Sequence, residues 1–274
     1  MVRIFPRLRR QDRSGPPGDP LAGIRWWVMS GPPLVVLVLP LVALLLRTDP
    51  GAAFESLRRP VVHQAVILSL WTSLAATGAT VLFGLPLAFL MARRRFPLHR
   101  AVDTLIELPV VLPPAVAGVA LLMAFGRRGL LGEPLAEIGV QLPFTPAAVI
   151  LAQMFVAAPL FIRSAMVGLA GVPAELEEAA RIDGASTGQV LRHVTLPLAR
   201  NGLIGGAVMT WARALGEFGA TIIFAGNLPG RTQTMPLAIY LGFEIDLQVA
   251  LTLSVLLMGA SFLTLILVKY VLLR

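Results

Sequence analysis

The sequence predicts an all-α integral membrane protein with six transmembrane helices, and three observations lead there. Of its 274 residues 56% are hydrophobic and only 14% charged, where a soluble domain carries about a quarter charged residues. The apolar residues gather in runs near the ~20 residues that a helix needs to cross a hydrocarbon core about 30 Å thick. The basic residues stand beside those runs: Arg3 to Arg25, Arg93-Arg94-Arg95 with Arg100, and Lys269 with Arg274. Cytoplasmic flanks of membrane helices are enriched in this way.

The runs fall, in order, at Trp26–Leu46, Gln64–Ala92, Leu108–Gly126, Ile138–Ile162, Asn201–Ala225 and Leu247–Val268. The first is too long for the apolar region of a cleaved signal peptide, and five more follow, so it reads as a retained helix. Several runs contain breakers (Pro40, Pro86, Pro113-Pro114, Pro159) or small residues (Gly78, Gly118, Gly205-Gly206). In lipid such breakers are tolerated where neighbours or water satisfy the freed backbone, and small residues let helices approach closely. The fifth run is unusual in carrying Arg213 and Glu217.

With the N-terminus inside, 93–100, 171–200 and the C-terminus are cytoplasmic. The outer loops run at 47–63, 127–137 and 226–246. The outside then holds six arginines (Arg47, Arg58, Arg59, Arg127, Arg128 and Arg231) against about fifteen inner lysines and arginines, the bias the positive-inside rule requires. Residues 1–25 form a basic cytoplasmic leader, and 26–274 form the six-span domain with its cytoplasmic segment at 171–200.

Composition also excludes functions. The chain has no cysteine, so disulfides, thiolate metal sites and cysteine nucleophiles are out. His63, His99 and His193 are far apart and suggest no metal cluster. The net charge of +8 sits at span ends rather than on a reading face, which argues against nucleic acid. The only lysine, Lys269, is followed by Tyr270, whereas a Walker phosphate loop needs Gly-x-x-x-x-Gly-Lys-Ser/Thr. An ATP-driven machine built on this chain would carry its motor on another subunit.

The cytoplasmic segment is patterned as two short helices with a corner. Pro173 suits the first helical position, where its missing N–H costs nothing. Glu175, Glu177 and Glu178 load the positive end of the helix dipole. Leu176, Ala179 and Ala180 give a modest apolar face, and Asp183-Gly184 stops the helix, since glycine accepts the left-handed conformation. Ser186 to Gln189 has the spacing of a capping box. A plain linker would explain the polarity of this stretch but not its start, stop and restart.

Glu178-Ala179-Ala180, three residues, Gly184, nine residues, then Val194-x-Leu196-Pro197 resembles the loop motif of permease subunits of ABC importers, with Val194 where that family usually has Ile. The resemblance implies a type I importer permease fold and makes this segment the helix that docks in a groove of the ATPase subunit. Glu178, Ala179, Ala180, Asp183 and Gly184 would be its coupling residues. The stretch from Trp211-Ala212-Arg213-Ala214-Leu215-Gly216-Glu217-Phe218-Gly219-Ala220-Thr221 on to Tyr240 looks like the permeases of molybdate importers, and more broadly the molybdate, tungstate and sulfate branch.

By that resemblance the chain works as a homodimer in a prokaryotic cytoplasmic membrane, with both termini inside. It is not itself an enzyme and binds no cofactor; two ATP-binding cassette subunits hold ATP and Mg, and an external molybdate-binding protein delivers the oxyanion. Arg213, Glu217 and Thr221 are the pathway or gating candidates. Arg213 and Glu217 stand four apart on one helical face, and charges inside a span are costly unless functional or paired. A structural or gating ion pair, within the chain or across a dimer seam, is favoured over direct contact of Arg213 with a passing oxyanion. A tight anion site in the channel would slow release.

Tungstate or sulfate as cargo of the same machine is the nearest alternative. An ion-driven secondary transporter would show internal repeats and several deep carboxylates; no clear repeat is visible, and Glu217 is the one deep carboxylate. An intramembrane enzyme would need a zinc-binding His-Glu pair or a Ser-His pairing at one depth, and neither can be placed.

Overall fold

A computed structural model describes residues 20–272, with side chains from 28 to 270, and every regular element among them is helical. Most of the expected basic leader, 1–25, lies outside the described residues. The chain falls into two compact units, 1–47 and 48–274. The first contains α1 (Pro20–Arg47), whose stretch Val28–Arg47 is long and apolar enough to cross a membrane.

The second unit opens with α2 (Pro50–Leu57), α3 (Pro60–Arg93), α4 (His99–Val111), α5 (Pro114–Phe125) and α6 (Gly132–Glu137). The long α7 (Pro146–Ala170) follows, then α8 (Ala174–Ile182), α9 (Thr187–Val190) and a π-helical turn, Leu191–Thr195. It closes with α10 (Leu196–Leu215), α11 (Gly219–Phe224), α12 (Met235–Ile245) and α13 (Leu247–Leu272). Helix α7 is the hub, packed against α3 and α10 and touched by α4, α5 and α11. One apolar core gathers Ala88 and Met91 of α3, Phe161 and Leu169 of α7 and Ala199 of α10. A second joins α5, α7 and α11 through Leu121, Val149 and Phe224.

The α7–α10 crossing depends on missing side chains. A Cβ at Gly202 would lie 2.8 Å from the Gly168 Cα, and one at Gly206 2.7 Å from the Ser164 Cβ. The Ser164 hydroxyl donates to the Gly202 carbonyl at 2.7 Å. With lipid outside as apolar as the protein, such close packing and interhelical hydrogen bonding replace the hydrophobic drive. Gly206 thus acts as the sequence suggests, whereas a Cβ on Gly78 would meet nothing within 4 Å.

The buried hydroxyls of α3 satisfy themselves: Thr72, Thr77 and Thr80 donate to the carbonyls of Leu68, Ser73 and Ala76 at 2.7, 2.8 and 2.8 Å. Ser69 accepts from the Met235 N–H at 2.7 Å, and Ser73 donates to the Leu70 carbonyl at 3.1 Å while accepting from the Trp211 indole at 3.0 Å.

The expected runs and loops map onto the helices with four differences. Among the described residues, four helices are long and apolar enough to cross a membrane: α1 through Val28–Arg47, α3, α7 and α13. The α4–α5 pair would make a fifth crossing. The third run is therefore no straight span, since α4 and α5 meet at 118°. Proline disfavours helical geometry in the residue before it, so Pro113 holds Leu112 extended at ψ 134° and Pro114 holds Pro113 at ψ 133°. The fifth run is split between α10, whose 20 residues reach about 30 Å, and the short α11. With Arg200 and Arg213 in it, α10 is not among the helices apolar enough to cross.

The fourth run is displaced. Thr145 caps α7 by accepting from the Ala148 N–H at 3.3 Å, Pro146 takes the first position, and the helix continues to Ala170. In the sequence the charge of Arg163 ends the run, but that guanidinium pairs with Asp103 of α4 at 2.8 Å and with Glu107. Lastly, the expected outer loop 226–246 contains α12, which packs on α13.

Candidate coupling corner and intramembrane ion pair

The segment 171–200 folds as two helices around a corner. Pro173 stands one place earlier than the sequence implies, as the cap of α8 rather than its first residue. At the other end the Asp183 N–H reaches the Ala179 carbonyl, Gly184 the Arg181 carbonyl and Ala185 the Ala180 carbonyl, each at 3.0 Å. Gly184 has φ +87°, and a Cβ added there would meet no atom within 4 Å, so glycine is required by backbone conformation and not by crowding. The capping box is present: Gln189 N–H to Ser186 Oγ at 3.4 Å and Ser186 N–H to Gln189 Oε1 at 2.8 Å.

The faces of α8 are inverted relative to a helix of a soluble protein. Leu176 and Ile182 are 48% and 86% exposed, and Glu178, Ala179, Asp183 and Gly184 are exposed with them, while Ala180 is half-buried. The buried residue is Glu177, whose Oε1 accepts from Arg93 Nη2 at 2.8 Å and from Thr195 Oγ1 at 2.7 Å. Arg93 is the last residue of α3, and Thr195 ends the π-helical turn just ahead of α10. Sequence reasoning counts Glu177 only as one of three acids in a first turn and singles out neither Arg93 nor Thr195 as its partner. Helical phase could have separated it, since Pro173, Glu177 and Ala180 share one side and Leu176 and Ala179 lie on another.

The pathway or gating candidates sit where α10 gives way to α11. Arg213 Nη1 is 2.7 Å from Glu217 Oε2, within one chain. The other Glu217 oxygen accepts from the Ala220 N–H at 2.9 Å, and the residue is 1% exposed. Both carboxylate oxygens are thus compensated, as a buried charge requires. The Arg213 side chain remains 36% exposed and lines a cavity of about 220 Å³ together with Leu112 and Pro114 at the α4–α5 break and Leu160 of α7. Close approach shapes this region too: a Cβ at Gly219 would lie 2.5 Å from the Pro114 Cβ, and one at Gly118 2.8 Å from the Ile223 Cβ. Thr221 is fully buried, and its hydroxyl has no hydrogen-bond partner among the described residues.

The family model for the binding-protein-dependent transport system inner membrane component matches residues 84–274. The molybdenum transport system permease protein ModB of Mycobacterium tuberculosis is 44% identical over 224 residues, 82% of this chain and 85% of the relative. The ModB protein of Escherichia coli is 44% identical over 178 residues, covering 65% of this chain and 78% of the relative. Among solved structures, a bacterial alginate ABC transporter in complex with its alginate pentasaccharide-bound periplasmic protein superimposes with a TM-score of 0.65 at 17% identity, over 92% of this chain and 90% of that one. At that identity the likeness is one of fold.

Proposed function

Because the chain belongs to the family of binding-protein-dependent transport system inner membrane components, we infer that it is the membrane-spanning subunit of an ATP-driven molybdate importer of the cytoplasmic membrane. The observation that carries the cargo is the 44% identity to a molybdenum transport permease across four-fifths of both chains. Two copies of this chain form the translocating unit, with six crossings each, α10 being the fifth, and with both termini in the cytoplasm. Two ATP-binding cassette subunits hold the ATP and Mg, and an external molybdate-binding protein loads the assembly. The chain has no nucleotide site of its own, in keeping with its single lysine outside any phosphate-binding loop.

The geometry supports a division of labour. The outward face of α8 (Glu178, Ala179, Asp183 and Gly184, with Leu176 and Ile182 beside them) offers small and apolar groups around a fixed corner, the shape another subunit can grip. Closure of the ATPase pair on ATP moves that corner and shifts the population between inward- and outward-open arrangements. Deeper in the bundle, Arg213 and Glu217 neutralise each other. Paired within one chain, they act as a structural or gating element rather than as a contact for the passing oxyanion, whose release a tight site would slow.

The test is uptake of radiolabelled molybdate by proteoliposomes holding this chain with its ATPase subunit, loaded from outside with the binding protein. ATP-dependent accumulation is expected. Accumulation without any nucleotide-hydrolysing partner would overturn the importer reading. Competition by equimolar sulfate at the binding protein would move the cargo to the sulfate branch.

A further inference from the structure

We propose that Glu177, one residue before the motif by which the coupling segment is read, is a positioning residue that ties the docking helix to the inner ends of two separate spans. The proposal rests on the importer reading above. Its ground is the arrangement around one carboxylate oxygen. Glu177 Oε1 receives the Arg93 guanidinium at 2.8 Å and the Thr195 hydroxyl at 2.7 Å. Those donors come 84 residues before it and 18 after it. Arg93 terminates the 34-residue α3, and Thr195 immediately precedes α10, the helix that carries Arg213 at its far end. One oxygen therefore joins α8, α3 and α10.

Helix α8 has little else to hold it to the spans. Its exposed Leu176 and Ile182 turn away from the chain, and the elements it packs against are α9 and the π-helical turn. A charge-assisted hydrogen bond is shorter, stronger and more directional than an apolar contact. The Glu177 side chain is 12% exposed and that of Arg93 20%, so water competes weakly for the pair. Burying a carboxylate is costly unless it is paired; a chain that needed only a soluble docking helix would place an apolar residue at this position. The π-helical turn fits the same role. Such turns are rare and occur mostly at functional sites, and this one ends on the threonine that meets Glu177. Force applied to α8 thus reaches α3 through an ion pair and α10 through a hydroxyl, and both spans move with the corner.

The experiment uses the complete assembly of this chain, its ATPase subunit and the binding protein in proteoliposomes, with radiolabelled molybdate as probe. Three quantities are read: ATPase subunit retained on purification, ATP hydrolysed, and molybdate imported per ATP. Glu177→Gln is expected to retain the ATPase subunit yet lower molybdate moved per ATP by roughly tenfold. Arg93→Glu is expected to do the same, and Thr195→Val to lower the ratio by a smaller factor. The double exchange Arg93→Glu with Glu177→Arg restores the pair with its polarity reversed and is expected to recover a large part of the ratio. If transport and hydrolysis fall together so that the ratio is preserved, Glu177 is merely structural and the proposal is overturned. Should the single variants fail to accumulate, the exchange decides: recovery of both accumulation and ratio supports the tie, and recovery of accumulation alone overturns it. Failure of the unaltered chain to bind an ATPase subunit would instead sink the importer reading on which the proposal stands.

Discussion

Glu177 and Glu217 are both buried carboxylates, each paired with an arginine and given a second donor, yet their partners lie at very different distances along the chain. Glu217 is satisfied locally, by Arg213 four residues before it and by the Ala220 N–H three residues after. Glu177 draws on Arg93 and Thr195, which belong to other elements. The first arrangement closes the end of α10 and starts α11; the second fastens separate helices together. A carboxylate with local partners sets the geometry of one junction, whereas one with distant partners can pass movement from one element to another.

The sharpest way to break this comparison is to remove one arginine at a time. Arg213→Ala leaves the carboxylate of Glu217 buried with only its backbone donor, and should destabilise the chain by roughly 3 kcal/mol. The double variant Arg213→Ala with Glu217→Ala should recover most of that loss, because the penalty lies in the orphaned charge. Thermal unfolding in detergent checks both. A double variant no more stable than the single would mean that Glu217 is not paired as described.

Arg93→Ala should cost less, about 2 kcal/mol, since its pair is partly open to solvent. The location of the damage matters more than its size. Amide exchange should rise across α8 and the π-helical turn and stay unchanged in α11, while Arg213→Ala should raise it at α11 and leave α8 protected. Equal patterns in the two variants would erase the distinction between a junction and a tie.

That distinction also explains what the sequence could reveal. Features made by near neighbours are legible: the Ser186–Gln189 box, the left-handed Gly184 and the four-residue spacing of Arg213 and Glu217 all appear where residue order places them. Features made by distant partners are not. Nothing adjacent to Arg163 discloses that Asp103 and Glu107 will neutralise it, so the fourth apolar run ends there in the sequence, while α7 goes on for seven more residues to Ala170. Glu177 is one glutamate among three until α3 and the π-helical turn supply its donors. The bend of the third run falls between. The Pro113-Pro114 pair marks a breaker in the sequence, but not the 118° bend that accompanies the seating of α5 on α11, where Gly118 and Gly219 admit close contact. The apolar face of α8 would be its inner one in a soluble protein. Leu176 points outward instead, where the ATPase subunit of the proposed assembly would cover it.

Gly184→Ala sharpens the comparison at the corner itself. With no atom near the added Cβ, the cost is conformational, about 1–2 kcal/mol for a left-handed residue that is not glycine. Gly184→Asn should recover part of it, because asparagine tolerates that conformation better. Retention of the ATPase subunit by the two variants, measured beside their thermal stability, should follow the same order. Equal loss with both would mean that the absence of a side chain, and not the backbone turn, is what the docking partner needs.

The smallest effect is expected outside the spans, at a third carboxylate that combines both habits. Asp246 pairs with the distant Arg59 and also accepts from the Gln248 and Val249 N–H groups, at 3.0 and 3.3 Å, at the start of α13. The Arg59 hydrogen bond, aided by those backbone donors, holds its carboxyl below the ordinary carboxylate range. A depressed value means that the folded state favours the charged form, so the stabilisation is complete above the unfolded value near 4 and fades as pH falls through the lower folded one. The contribution should therefore be flat at neutral pH and disappear only in acid. Asp246→Asn, which keeps an acceptor for the helix start but abolishes the titration, should remove that acid-side dependence from the unfolding profile. Because the pair is solvent-exposed, it should also weaken with salt, whereas the Arg93–Glu177 tie should hardly respond; a salt-sensitive Glu177 would place it with Asp246 as a surface contact and leave α8 without a firm connection to the spans.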